Sequence, residues 1–466
     1  MSRHLVVVGG GITGLAAAWE ASADPQVQVT VIEVDDRFGG KVRTSAMTLD
    51  DGSSMVIDEG ADAFLARVPD AVGLCRELGL DDELTQPAIG RAKVFVDGAL
   101  HFLPDDTVLG VPTSHDALAA SGLLDEQALA RAAAEWDRTG PAPDGDVAIG
   151  PFLAERYGEQ LVDRVVGPLI GGINAGDVDE LSLQAVTPQL AEAAADGDSL
   201  SRALAHRRVP PSADAPVFHA LRGGSGRLIE VLVERLAERG VELRTGTAAT
   251  ALRRDGDRWL VELTDVEGDG HPALHADAVV LACPAPTAAA LLSALSAPAA
   301  QELAAMTHSA VALVTLVFDA SAVPVELDAS GFLVPRSAGL FMTAVSWGSS
   351  KWAHWDDGRH VVLRASAGRT GDERQAAMDD DELVAALRAD LGTTMGITAE
   401  PVAARVARWP LGFTQYTVGH LDRVERIEDA LGHDCPGVVV AGSPYRGLGL
   451  PACIRQGRDA AHQLLG

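Results

Sequence analysis

Residues Leu5 to Glu33 read LVVVGGGITGLAAAWEASADPQVQVTVIE, and the fold is decided in this stretch. Leu5 to Val8 form a short, continuous apolar run, the signature of a strand buried on both faces of a parallel sheet. Gly9, Gly11 and Gly14 follow at the G-x-G-x-x-G spacing that opens a dinucleotide-binding unit. Gly9 allows the tight turn, Gly11 lets backbone amides approach a pyrophosphate with no Cβ in the way, and Gly14 lets the helix pack on the strand. Leu15 to Ala21 supply that helix, and Val27 to Ile32 a second strand ending at Glu33. A carboxylate about 20 residues past the last glycine accepts hydrogen bonds from a ribose and repels a 2′-phosphate. FAD or NAD is therefore favoured over NADP.

Immediately outward lies DDRFGGKVRT, where Gly39 and Gly40 make a second close backbone approach and Lys41 and Arg43 are expected to bring positive charge to the same phosphates. A second glycine pair so soon after the ribose acid points to FAD rather than NAD. Ile57 to Ala63 (IDEGADA) reads as a strand end passing into a loop beside a flavin ring.

Beyond this unit the periodicity changes several times. AVGLCRELGL from Ala71 has the 3-4 apolar spacing of a helix, AKVFVDGALHFLP from Ala92 reads as a hairpin, and Pro151 to Leu200 return to helical periodicity. Ser225 to Arg239 form an amphipathic helix ended by Gly240, and VELRTG, RWLVELTD and ADAVVLACP follow as strands. Leu313 to Phe318, Gly331 to Val334, Thr343 to Trp347 and His360 to Ser366 read as a second sheet covered by a helix over Asp380 to Leu391. Trp409 and Pro410 are expected to open a loop, and Gly437 to Ala441 a last buried strand before a glycine-punctuated approach to a terminal helix. The expected architecture is α/β: a Rossmann-like FAD-binding domain from 1–69, 218–300 and 409–466, a mainly helical insertion at 70–217, and a mixed-sheet substrate domain at 301–408.

Composition narrows the function classes. A formal net charge of -29 over 466 residues argues against a nucleic-acid partner, which needs a basic face. No basic and apolar leader precedes the first strand, so no signal peptide is expected. The longest uncharged run, Ala278 to Ala300, contains Pro284, Pro286 and Pro298 and reads as strand, turn and helix, leaving at most peripheral membrane contact. Cys75, Cys283, Cys435 and Cys453 are widely spaced and lie in no His cluster at zinc spacing, which fits reduced core residues in a cytoplasmic protein and no metal.

Six motifs together carry a narrower signal: GGGITG with Glu33, RFGGKVRT, GGINAGDVDELSL from Gly171, LRGGSGRLIEVL from Leu221, WPLGFTQYTVGHLDRV from Trp409 and AGSPYRGLGLPACIRQG from Ala441. From first strand to last helix the chain resembles the bacterial porphyrinogen oxidases, of both coproporphyrinogen and protoporphyrinogen types, within the monoamine oxidase superfamily of FAD flavoproteins. The resemblance implies oxygen-dependent removal of six electrons from a porphyrinogen with formation of hydrogen peroxide, and non-covalent FAD. It implies FAD contacts from Gly9, Gly10, Gly11, Ile12, Thr13, Gly14, Glu33, Val34, Gly40 and Lys41. To these it adds Gly60, Ala61, Asp62, Ala63, Trp409, Gly447, Leu448, Gly449 and Leu450, with Ala249 at the adenine. Gly172, Ile173 and Asn174 match the segment over the flavin face, and Arg67 the basic residue that faces a propionate. Ser443 and Ala452 depart from the acids or amides frequent in relatives, and Cys453 reads as a packing residue.

No dedicated catalytic base is assigned, because the pyrrole nitrogens release their own protons. Between the two substrates, the tetracarboxylate coproporphyrinogen III is favoured by the absence of a membrane-binding apolar patch and by a composition resembling actinobacterial relatives. O2 is the expected co-substrate, a ferrochelatase is a candidate for transient handover, and the oligomeric state stays open. Two other classes remain: an amine oxidase, whose aromatic cage is hard to build from Tyr157, Tyr416 and Tyr445 alone, and a non-catalytic scaffold that hands on a porphyrin.

Overall fold

Unbroken apolar strands need cover on both faces, and the computed structural model, which describes residues 3–207, 216–265, 268 and 270–466, provides it. Arg3–Val8 sits at the centre of a five-stranded, wholly parallel sheet. Val27–Ile32 and Glu242–Arg244 lie to one side, Ala278–Leu281 and Val438–Val440 to the other. Leu5 and Val7 face the helices Ile12–Ala21, Gly226–Glu238 and Leu450–Leu465, whereas Val6 and Val8 face Ala285–Leu292 and His420–Asp434. The amphipathic spacing read from Ser225 onward thus buries Leu228, Ile229, Val231, Leu232 and Leu236. An antiparallel meander, Thr247–Asp255, Arg258–Asp265 and Gly270–Ala276, adjoins the second face.

The second sheet is mixed and has seven strands. In order these are Ala403–Thr414, His308–Asp319, His360–Ala367, Met342–Trp347, Gly331–Leu333, Lys93–Val96 and Ala99–Phe102. Asp380–Met395 covers one face with Leu383, Leu387 and Leu391, and starts at a capping box in which Asp379 and Glu382 satisfy each other's backbone amides.

Two expectations need correction here. Trp409 and Pro410 do not open a loop: they lie inside the strand Ala403–Thr414, so a domain seam at 408/409 cuts through it. Proline is tolerated because this is an edge strand whose register shifts opposite Ser309 and Val311. Likewise the 93–102 hairpin, placed with the helical insertion, completes the mixed sheet by pairing in parallel with Gly331–Leu333.

The insertion is otherwise helical from His115 to Arg207. Within it Val162–Gly171 is a π-helix containing Pro168, and Ala175 ends the following turn in the left-handed region at φ 46°. π turns are uncommon and concentrate at functional sites. Among the described residues no helix is long and apolar enough to cross a membrane, and no group of His, Cys, Asp and Glu could hold a metal ion.

Candidate functional site

The opening loop is a cradle built from glycines with distinct roles. Gly9 holds φ 110°, and a Cβ there would meet the Ala282 carbonyl oxygen at 2.6 Å. A Cβ on Gly14 would come within 1.9 Å of the Gly9 oxygen, whereas Gly11 has open space in front of it. The helix Ile12–Ala21 begins with no side-chain cap, so its first-turn N–H groups face that space as an anion seat. Glu33 is buried; its carboxylate accepts the Gly10 N–H at 2.7 Å and the Asp35 N–H at 2.9 Å. That fixes it at the strand end with lone pairs to spare for a ribose. Thr247 donates its N–H to the Glu33 carbonyl at 2.9 Å, which brings Ala249 and the exposed Val34 to the same end.

Gly39 donates to the Gly10 carbonyl at 2.8 Å, locking the second glycine turn onto the first. Arg37, not singled out in the sequence, secures this turn through the carbonyls of Phe38 and Gly40, at 3.1 and 2.7 Å. Arg43 is not turned to the phosphates as expected: it pairs with buried Glu59 at 2.9 Å. Lys41 donates to the Gly412 carbonyl at 2.7 Å, and surrounding protein pushes its ammonium down to about 8.

The far end of the chain closes on this cradle. A Cβ on Gly457 would come within 2.2 Å of the Thr13 carbonyl, so the terminal helix crosses the opening one in close contact. Cys453 lies 3.9 and 3.7 Å from the carbonyls of Gly447 and Leu448, a packing position; burial raises its thiol pKa, opposed by Thr13 and Lys41. The terminal helix, Leu450–Leu465, also starts without a side-chain cap. Tyr416, buried, donates its hydroxyl to the Ser443 carbonyl at 2.7 Å and accepts the Gly447 N–H at 2.8 Å. His420 stacks on its ring at 3.9 Å and bonds the Tyr445 carbonyl at 2.8 Å. Since a carbonyl only accepts, His420 carries its proton on Nε2.

The loop from Gly60 to Ala63 is pinned from beneath. A Cβ on Gly60 would lie 2.0 Å from the Lys41 carbonyl oxygen, and the Gly60 carbonyl accepts from Arg364 at 2.6 Å. Asp62 turns into the protein, pairing with Arg364 at 3.0 Å and Lys351 at 3.2 Å. Burial pushes its carboxyl up, but these two cations outweigh burial and hold it well below the usual carboxylate range. Its side chain therefore supports the loop and leaves any cofactor contact to the backbone. Trp409 donates its indole N–H to the Glu59 carbonyl at 2.9 Å and packs against Gly60.

Gln415 ties the Gly172–Asn174 segment to the same place. Its amide donates to the Asn174 carbonyl at 3.1 Å, and Asn174 reaches back to the Ile170 carbonyl at 2.8 Å. A run of contacts thus links Gly447, Tyr416, Gln415 and Asn174, and leaves Ile173 56% exposed, an uncovered large apolar side chain within it. Arg67 is exposed in the turn between Phe64–Leu65 and Pro69–Glu77, and takes no ion-pair partner among the described residues.

A parallel dinucleotide sheet, two uncapped helix starts and two interlocked glycine turns suit a flavin nucleotide, and the chain belongs to the family described as flavin containing amine oxidoreductase, matched over residues 12–465. It is thus an oxidoreductase carrying a flavin. The coproporphyrinogen III oxidase of Bacillus subtilis (strain 168) is 33% identical over 99% of this chain and 98% of its own length. That of Mycobacterium leprae (strain TN) is 35% identical over 97% and 96%. A solved structure from Exiguobacterium sp. 255-15, provisionally assigned as a protoporphyrinogen oxidase, superposes with a TM-score of 0.88 at 33% identity, covering 100% of this chain and 99% of that one.

Proposed function

We propose that this chain is an oxygen-dependent coproporphyrinogen III oxidase of haem synthesis that holds FAD non-covalently. It removes six electrons from coproporphyrinogen III, in three rounds that each reduce one O2 to H2O2. The observation that carries this reading is the meeting of the first and last helices, each of which follows a glycine loop, at Thr13, Cys453 and Gly457, with the Gly172–Asn174 segment tied to the last loop through Gln415 and its neighbour Tyr416. The full-length similarity to coproporphyrinogen III oxidases supports the substrate.

The first-turn amides of Ile12, Thr13 and Gly14 would hold the pyrophosphate, Glu33 the ribose, and Val34 with Ala249 the adenine. Gly40, Lys41, the Gly60–Ala63 backbone, Trp409 and Gly447–Leu450 would hold the flavin end. FAD, when bound, accepts reducing equivalents from the substrate and passes them to O2. The chain's own part is orientation and exclusion of water. Ile173 offers an apolar surface to a flat macrocycle, and Arg67 a fork for a propionate carboxylate.

In the domain division we favour, the parallel-sheet unit holds FAD, the mixed sheet and the helical insertion hold the porphyrinogen, and the strand Ala403–Thr414 passes between the two functions. We place the reaction in the cytoplasm, with the product passed to a ferrochelatase.

Anaerobic mixing of the flavin-loaded protein with coproporphyrinogen III should bleach the flavin band. Oxidation rates on the two porphyrinogens, followed by porphyrin fluorescence, should favour the tetracarboxylate. A faster reaction with protoporphyrinogen would reassign the substrate; an unbleached band would leave the amine oxidase or scaffold reading.

A further inference from the structure

The π-helix Val162–Gly171, the turn that follows it and the strand ends near Val334, Thr343 and Arg369 enclose a pocket of about 220 Å3. Gly172 forms part of its wall, so the pocket abuts the segment that the proposed function sets over the flavin. Two guanidiniums line it, and they are differently engaged. Arg336 is committed: it donates to the carbonyls of Gly176 and Thr370, at 3.1 and 2.9 Å, and lies 3.6 Å from Asp177. Arg369 is not committed in this way: among the described residues its side chain makes no hydrogen bond or short ion pair, and its Nε is shut away from water with no acceptor.

The acids nearby give their short contacts to other groups and act on Arg369 only from a distance. Asp372, bridged to it along the backbone, gives its carboxylate to Arg374 at 2.7 and 2.8 Å. Within the pocket, Asp177 lies by Arg336, Asp163 accepts the Ser337 hydroxyl at 2.7 Å, Asp179 packs against Gly150, and Glu159 is exposed. Burial first, and then Arg336, lower the Arg369 pKa, outweighing the opposite pull of Asp372 and Asp177. The Nη groups of Arg369, neither hydrogen-bonded within the protein nor shut away as its Nε is, are the donors that an external acceptor in the pocket can reach. The chemistry that fits is a planar oxyanion, which matches a guanidinium fork in bidentate fashion. At about 220 Å3 the pocket falls below the ~300–1,000 Å3 of whole-ligand sites, so it admits a short carboxylate arm and not a macrocycle.

We propose that Arg369 anchors a carboxylate-binding subsite in the pocket behind the π-helix, seating one propionate of the porphyrinogen. This identity of the ligand rests on the proposed function; the subsite chemistry is shared with a free oxyanion such as phosphate. The subsite would favour a tetracarboxylate over a dicarboxylate, since a ring bearing four propionates presents an arm to it in more orientations.

The test uses the full-length, flavin-loaded protein, with Arg369→Gln and the charge-retaining Arg369→Lys, each accepted only with a wild-type flavin spectrum. Arg369→Gln should raise KM for coproporphyrinogen III by ~10-fold or more, the scale of a charge-assisted hydrogen bond, with kcat little changed, a smaller effect on protoporphyrinogen IX, and partial recovery in Arg369→Lys. Thermal stabilisation by sodium propionate and by inorganic phosphate is measured alongside. If the kinetics are unchanged but Arg369→Gln abolishes a stabilisation seen in wild type, the subsite stands and its occupant is a free oxyanion. If Arg369→Gln alters neither, the subsite is overturned. Should wild type oxidise neither porphyrinogen, the functional reading fails and the propionate and phosphate titrations still decide the subsite.

Discussion

The Thr13 carbonyl oxygen and Gly457 approach so closely that a single methyl group on the glycine would stand 2.2 Å from that oxygen and 3.0 Å from the Ala17 nitrogen. Thr13 belongs to the helix that opens the chain and Gly457 to the helix that ends it, and both run from uncapped starts at the cradle. Gly457→Ala should therefore force the helices apart. Overpacking of this kind costs about 1–3 kcal/mol. A lower melting temperature and weaker FAD retention are expected, read by calorimetry and by flavin absorbance after gel filtration; wild-type values in both would show slack between the helices.

Tyr416 bridges Ser443 and Gly447 with one hydroxyl. Tyr416→Phe keeps the ring and its stacking on His420 but strands a buried carbonyl and the Gly447 N–H, a loss of about 1–3 kcal/mol. Because the stranded N–H lies in the terminal glycine loop, FAD affinity should fall while the fold persists. Fluorescence titration of the apoprotein with FAD measures this, and an unchanged Kd would remove Tyr416 from the cofactor site.

Asp62 should behave as a support under the Gly60 loop. Asp62→Ala leaves Arg364 and Lys351 without their shared carboxylate, and breaking a buried pair costs about 3–5 kcal/mol, the lower figure suiting a partly accessible acid. Adding Arg364→Leu should restore part of that loss in urea unfolding. If the double variant is weaker by the sum of both single changes, the pairing is not what holds the loop.

His420 gives stability a pH dependence with a definite sign. Burial lowers its pKa from 6.5 to about 4, so between those values the unfolded chain binds a proton that the folded one does not. Stability should rise with pH across that window and fall as the medium is acidified through it, by about 3 kcal/mol over the full span. Asp58 opposes it: burial lifts its carboxyl from 3.8 to about 6, so its contribution falls as pH rises over that interval. Comparing His420→Gln with wild type isolates the histidine, and the variant should show the flatter acid limb.

Much of the nucleotide cradle was legible because its signals are local. Glycine spacing, an apolar run and an acid at the strand end all lie within Leu5–Glu33, and strand periodicity located most of the second sheet. What escaped depends on partners far along the chain. The inward turn of the Asp62 side chain had no local signal because Lys351 and Arg364, which claim its carboxylate, lie about 300 positions away. Arg43 read as positive charge directed toward the phosphates because its pairing with Glu59 leaves no local sign in the sequence. Trp409–Pro410 read as a loop because proline breaks a strand pattern, and only an edge position at a register shift makes it tolerable. Gln415 and Tyr416 stood inside a quoted motif, yet their roles follow from Asn174, Ser443 and Gly447. The π-helix had no signal at all, since its apolar residues recur much as in an α-helix.

The contact between Lys41 and Gly412 spans 371 positions of sequence. During synthesis, then, the opening glycines leave the ribosome long before anything exists to shut them in, and the Val438–Val440 strand and the helix Leu450–Leu465 follow much later in the chain. A nascent chain could grip the cofactor at one end at most. A chain cut short before Val438 would therefore keep its opening glycines but lose the helix that closes on them.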